Sequence, residues 1–287
     1  MGRVVLAVLC VGIALGGRAP ELEAQSTNGD VGVVPDVVYG HKDGMALTFD
    51  VLRPPDPNGA AVLYMVSGGW VSRWVDPSML ARRSFAPLLD RGFTVIAVRH
   101  GSAPRYKVPE AEADVRRALG FVRSNAADWG VDPERLGVFG GSAGGHLSLM
   151  LGLLPDDEIS DSDLETRTVS SGVAAVVAYY PPVDLRPIAG PSERFPALDF
   201  PPEQAAAISP ILYASADDPP TLLIHGDADD LVHHRNSEVM YTALKDEGVT
   251  TEMVIIQGGD HGFTTPAHRV RAQTLMAEWF TRHLGGR

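Results

Sequence analysis

Apolar residues in this chain gather in short runs bounded by glycine, proline and aspartate. "VVYG", "LTFDVLRP", "AVLYMVS" and "FTVIAVRH" are rich in β-branched and aromatic residues, and "ERLGVFG", "VAAVVAYY", "TLLIHG" and "TEMVIIQG" repeat the theme downstream. Such runs predict strands. Between the later strands the period changes. In "PEAEADVRRALGFVRSNAADWG", Val115, Ala118, Leu119, Val122 and Ala126 recur at helical spacing, and Gly130 supplies a stop. "SEVMYTALKDEG" predicts a second helix ending at Gly248. A last one, opening near Pro266, carries Ala272, Leu275, Met276, Trp279 and Phe280 on one face. Strands alternating with helices predict the α/β class, with a mostly parallel eight-stranded sheet covered on both faces. The first two strands lie too close together for a helical crossover and predict an antiparallel edge.

Composition narrows the classes. The 287 residues are 45% apolar, enough for one substantial core, and a single domain over residues 36–287 is expected. The net charge of −12 comes without a basic patch, which argues against a nucleic-acid partner. At the N-terminus, "MGRVVLAVLCVGIALGG" places Arg3 before the apolar stretch from Val4 to Leu15, and "LEAQS" offers a cleavage point after Ala24. That design predicts a signal peptide over residues 1–24 and an exported protein, periplasmic or extracellular. The apolar stretch is short for a bilayer span, so no stable membrane insertion is expected after cleavage. Cys10, the only cysteine, lies inside it, leaving the mature chain without disulfide or thiol chemistry. Residues 25–35 read as a flexible lead-in. The proline-rich residues 181–220 read as a lid or binding excursion over the sheet's C-terminal edge.

One short stretch surrounds a hydroxyl with almost no side chain. Gly140-Gly141-Ser142-Ala143-Gly144 follows a predicted strand and opens a predicted helix. A turn tight enough to thrust the serine outward brings neighbouring backbone close, which residues lacking a Cβ tolerate. A glycine-rich packing turn is the bland alternative, and a phosphate loop is weakened by the missing Lys-Ser/Thr ending. A serine hydroxyl is a poor nucleophile without a base, and the base needs an orienting carboxylate. "TLLIHGDADDLV" and "MVIIQGGDHGF" put acids and then a histidine just after successive strands, at the same sheet edge as Ser142. Among the acids, Asp227 follows the turn directly and reads as its brace. Asp229 at the tip is the favoured orienter, with Asp230 second. His261, in a glycine-freed loop, is the favoured base. The acids with His233 and His234 do not predict a metal site, because adjacent histidines point apart. No cofactor is expected. An oxyanion would need backbone N–H donors. Ala143 offers one, and Gly69 and Trp70 of "SGGWVSRW" are assigned the others. Trp70 and Trp74 are expected to wall the substrate pocket.

Together, "DWGVDPERLGVFGGSAGGHLS", "PPTLLIHGDADDLV" and "GGDHGF" resemble the esterase branch of the α/β-hydrolase fold. The resemblance is to the group related to bacterial feruloyl esterases and hormone-sensitive-lipase-like acetyl esterases, and it runs from about residue 36 to 284. It implies Ser142 as nucleophile, Asp229 as acid and His261 as base, acting on acetyl, short-acyl or feruloyl esters, small or polysaccharide-linked. The sequence departs from the group at Ser67, where most relatives begin the oxyanion loop with His-Gly-Gly. Two other readings share the motifs: a peptidase or amidase of the prolyl-oligopeptidase type, and a catalytically silent hydrolase fold used for binding.

Overall fold

The continuous apolar runs become strands because both of their faces are covered. The computed structural model describes residues 30–154 and 172–285. Its strands are β1 (Gly32–Lys42), β2 (Met45–Arg53), β3 (Ala61–Met65), β4 (Thr94–Val98), β5 (Leu136–Gly141), β6 (Ala175–Tyr179), β7 (Thr221–Gly226) and β8 (Thr251–Ile256). They join in one eight-stranded sheet in the order β1-β2-β4-β3-β5-β6-β7-β8. The pairs β1–β2 and β2–β4 are antiparallel, and every pair from β4–β3 to β7–β8 is parallel. This is the α/β-hydrolase fold.

Alternation along each strand feeds two cores. On β3 and β5, Leu63 and Val138 face one core, with Val115 of α3 (Val108–Ser124), Leu147 of α4 (Ala143–Leu153) and Met240 of α5 (Arg235–Asp246). Val62 and Phe139 face the other, with Leu88 of α2 (Ala86–Leu89) and Phe280 of α6 (Pro266–Leu284). Each fully buried side chain of this size contributes roughly 1.5–3 kcal/mol. The stretch "PSMLARRSFAPLLD" carries no clear period, yet it forms α1 (Pro77–Leu80), a π-helical turn (Ala81–Phe85) and α2 in succession.

Residues 1–24, for which a signal peptide is expected, with Cys10 and the first part of the expected lead-in, lie outside the described residues. The lead-in's expected end is corrected. Residues 32–35 already belong to β1, because Gly32, Val33 and Val34 pair with Arg53, Leu52 and Val51. Among the described residues no helix is long and apolar enough to cross a membrane.

The sheet meets α6 closely at Gly137 of β5. A Cβ there would lie 2.6 Å from the Phe280 ring and 2.8 Å from Leu284 Cδ1, so these side chains occupy the room it would take. Gly137→Ala is therefore expected to lower stability by about 1–3 kcal/mol through overpacking. Adding Phe280→Leu should recover part of that loss. Denaturant midpoints of the single and double variants check it, and simple additivity would show that this contact is not the cause.

Candidate active site

The carboxyl ends of β3, β5, β6, β7 and β8 meet around one cleft of about 420 Å³, lined by Ser142 and His261 together with Gly69. Ser142 stands between β5 and α4 with φ 56° and ψ −121°, a conformation that L-residues avoid. Two close approaches make the turn possible. A Cβ on Gly140 would lie 2.5 Å from the Gly144 backbone, and one on Gly144 would lie 2.7 Å from the Met65 carbonyl oxygen. The helix start thus sits directly on β5 and β3, with its positive end at the serine.

Asp229 and His261 come together as the sequence pattern predicts. The Asp229 side chain is fully buried and accepts the Nδ1–H of His261 at 2.8 Å on Oδ2. Its Oδ1 accepts the backbone N–H groups of Leu231 and Val232, each at 2.9 Å. Asp227 instead accepts the N–H of Gly258, bracing the turn, and Asp230 is exposed. With Nδ1 donating to a carboxylate, the open Nε2 of His261 is the basic nitrogen. Ser142 and His261 share the cleft without a hydrogen bond between them, and such bonds commonly close only when substrate is present.

The loop after β3 turns over at Gly69 (φ 57°) and Trp70 (φ 56°), and Gly68 and Val71 exchange backbone hydrogen bonds. Among the described residues the N–H groups of Gly69, Trp70 and Ala143 have no backbone partner, which leaves these three donors unengaged by the main chain. Gly69 lines the cleft, but the expected tryptophan walls do not. The reversal at positive φ sends the Trp70 ring inward, where it is 4% exposed and its Nε1–H donates to His146 Nδ1 at 3.3 Å. Trp74 lies outside the cleft and is 62% exposed. The aromatic walls are Tyr64, Phe139, Tyr179, Tyr180, Phe195 and Phe263. The pattern that would have revealed them is positional. Tyr64, Phe139 and Tyr179 stand near the carboxyl ends of β3, β5 and β6, and Tyr180 directly follows β6. Tyr180 packs against His261 with ring centroids 4.6 Å apart and the rings tilted by 57°.

Residues 181–220 contribute Phe195 to the cleft. Much of the rest of the segment packs into the core, including Val183, Leu185, Leu198, Phe200 and Ile208. His146 ties that segment to the oxyanion loop. Its Nε2 lies 2.8 Å from the Ile208 carbonyl, so Nε2 carries the proton and Nδ1 accepts from Trp70. Ser67, at the start of the oxyanion loop, is braced by His100, which follows β4. His100 Nδ1–H donates to Gly101 O at 2.7 Å, leaving Nε2 to accept the Ser67 hydroxyl at 2.9 Å. Among the described residues no group of three or more acids, histidines or cysteines is arranged to hold a metal.

A serine on a strained strand-to-helix turn, facing a histidine held by a buried aspartate at the C-terminal edge of this sheet, defines a member of the α/β-hydrolase class. The chain belongs to the BD-FAE family, whose model matches residues 49–244. It is 30% identical to Esterase LipQ of Mycobacterium tuberculosis over 87% of its own length, and it spans 61% of LipQ. A truncated carbohydrate esterase from gut microbiota superposes with a TM-score of 0.75 at 27% identity, covering 94% of this chain and all of that one. Thermogutta terrifontis esterase 2, solved phosphoramylated by tabun, gives 0.73 at 26% identity, covering 91% and 96%.

Burial lowers the pKa of His146 to about 4. An unfolded chain would take up that proton near pH 6.5, so between those values acid favours unfolding. The contribution is complete above about pH 6.5 and shrinks as pH falls toward 4, by up to about 3 kcal/mol. His146→Gln keeps a donor and an acceptor but cannot titrate. Its unfolding free energy should therefore fall less steeply than the wild type's over that window, and parallel pH profiles would contradict the assignment.

Proposed function

We propose that this chain is a serine carboxylic ester hydrolase that works through an acyl-enzyme on Ser142. The observation that carries it is the gathering of Ser142, Gly69 and His261 around one cleft, with Asp229 2.8 Å behind the imidazole. The likeness to LipQ and to the tabun-modified esterase supports the same chemistry.

Ser142 Oγ attacks the ester carbonyl carbon as its proton passes to His261 Nε2. Asp229 holds the tautomer and stabilises the imidazolium that forms. The carbonyl oxygen becomes an oxyanion and receives N–H groups of Ala143 and of the Gly69–Trp70 turn, each worth roughly a hundred- to a thousandfold in rate. Collapse breaks the bond to the alcohol oxygen, which leaves with the proton from His261. Water then repeats the sequence on the acyl-enzyme and returns Ser142. The buried His146 and His100 take no part in proton transfer, because both ring nitrogens of each are already engaged.

A cleft of about 420 Å³ walled by aromatic rings suits short-acyl or phenolic esters, free or attached to a polysaccharide. Export belongs to the same proposal and rests on the pattern of residues 1–24. Secreted protein whose first residue is Gln25 is its expected signature in N-terminal sequencing.

Ser142→Ala should lower kcat on 4-nitrophenyl acetate by about 10⁴–10⁶ and abolish labelling by a fluorophosphonate probe. Asp229→Asn should cost about 10⁴ through the wrong imidazole tautomer, whereas Asp230→Asn should change kcat little. Full activity in purified Ser142→Ala protein would end this assignment, and the reverse ranking of the two aspartates would reassign the acid.

A further inference from the structure

Two exposed arginines stand beside the cleft with their guanidiniums outside any ion pair. The chain has 36 acidic and 24 basic residues, so a guanidinium has carboxylates in excess to choose from. Among the described residues, Arg83 and Arg269 enter no ion pair, a state they share with other exposed arginines such as Arg73 and Arg271. What sets these two apart is their position. They lie far apart in sequence but line one cavity of about 410 Å³ with Ser84. Ser84 and Arg269 also line the Ser142 cleft, so the two spaces adjoin.

The elements carrying these arginines are held together and are locally unfavourable. Gln273 of α6, another cleft residue, donates from Nε2 to the Arg83 carbonyl at 3.1 Å. Arg83 and Ser84 sit in the π-helical turn Ala81–Phe85, a rare conformation that is frequent at functional sites. Arg269 lies just inside the N-terminal end of α6, after His268, and the first turn of that helix holds no acid. The helix dipole is positive there, and a cation is disfavoured by it. A cation kept against the dipole and without a carboxylate partner is arranged for an anion arriving from outside.

Resting on the esterase reading, we propose that this arm binds a carboxylate carried by the substrate. The preferred esters would then bear an acid group on the acyl or the alcohol part, which the two guanidiniums and the Ser84 hydroxyl receive while the ester carbonyl meets Ser142. Guanidinium matches carboxylate in planar, two-point fashion, which gives orientation as well as attraction. Around an otherwise acidic protein the pair also supplies the local positive potential that such a substrate needs.

The test compares matched pairs on the full chain. 4-Nitrophenyl hydrogen glutarate against 4-nitrophenyl pentanoate places the charge on the acyl side, and 4-acetoxybenzoate against 4-acetoxybenzamide places it on the alcohol side. Spontaneous hydrolysis is subtracted in each case. For one of the two pairs, the anionic-to-neutral ratio of kcat/KM should fall about tenfold in Arg269→Gln and again in Arg83→Gln, chiefly through KM. Arg269→Lys should retain part of it, and added salt should lower the wild-type ratio. Both arginines are exposed, so the variants should melt with the wild type. Ratios that stay constant in both pairs, with neutral esters still turned over, overturn the anion arm alone. No turnover of any ester and no fluorophosphonate label on Ser142 overturn the esterase reading, and this proposal with it.

Discussion

The site depends on backbone touching backbone where α4 leaves the sheet. Cβ atoms at Gly140 and Gly144 would lie 2.5 and 2.7 Å from main-chain atoms of Gly144 and Met65, so the helix start can sit on β5 and β3 only without them. That contact holds Ser142 at positive φ, lifts its hydroxyl out of the sheet and leaves the Ala143 N–H unpaired beside it. The strain is shared with its neighbours. Of the six non-glycine residues at positive φ among those described, Trp70, Ser142, Tyr180 and Phe263 all belong to segments that form the site. Each such residue costs of order 1–3 kcal/mol, and the two packed cores beneath over-determine the arrangement.

Four histidines surround this turn, and their hydrogen bonds separate the base from the struts. His100, His146 and His225 are buried, and burial lowers the pKa of each. Each directs one ring nitrogen at a carbonyl, of Gly101, Ile208 and Val232, and the other at a donor, from Ser67, Trp70 and Ser237. Both nitrogens are used, so these rings act as fixed, neutral spacers. His225 adds a second contact to Asp229, 3.3 Å from Oδ2, behind the bond to His261. His261 alone among the four leaves Nε2 open, at a ring facing the cleft. Proton-transfer capacity follows from which nitrogen lacks a partner.

Much of this was legible in the sequence, for identifiable reasons. Strands covered on both faces give continuous apolar runs, and the order of serine, acid and histidine after successive strands located one sheet edge. Asp229 meets His261, and Asp227 meets Gly258, because β7 and β8 are adjacent parallel strands whose following loops lie side by side. The aromatic walls were not legible, because they depend on side-chain direction. Trp70 looked like a wall, but two consecutive positive φ values reverse the chain and drive the ring into the core. The helices α1 and α2 with their π-helical turn were hidden for a similar reason. A five-residue π turn breaks the 3.6-residue period by which helices are recognised.

The serine at position 67 shows how a departure from a family pattern is absorbed. A histidine at the start of the oxyanion loop would brace it with a ring from within the loop. Here the ring comes from His100 at the end of the neighbouring strand, and the loop supplies only a hydroxyl. Ser67 itself lines the cleft. Because the His100 Nδ1 proton is committed to Gly101 O, the Ser67 proton must point at His100, and its remaining lone pairs are free to accept. The exchange therefore keeps the loop tethered and places an acceptor, with no added charge, among the residues that line the cleft. Selectivity on that side of the cleft would come from hydrogen bonding, and the arginines beyond Ser84 would supply it by charge.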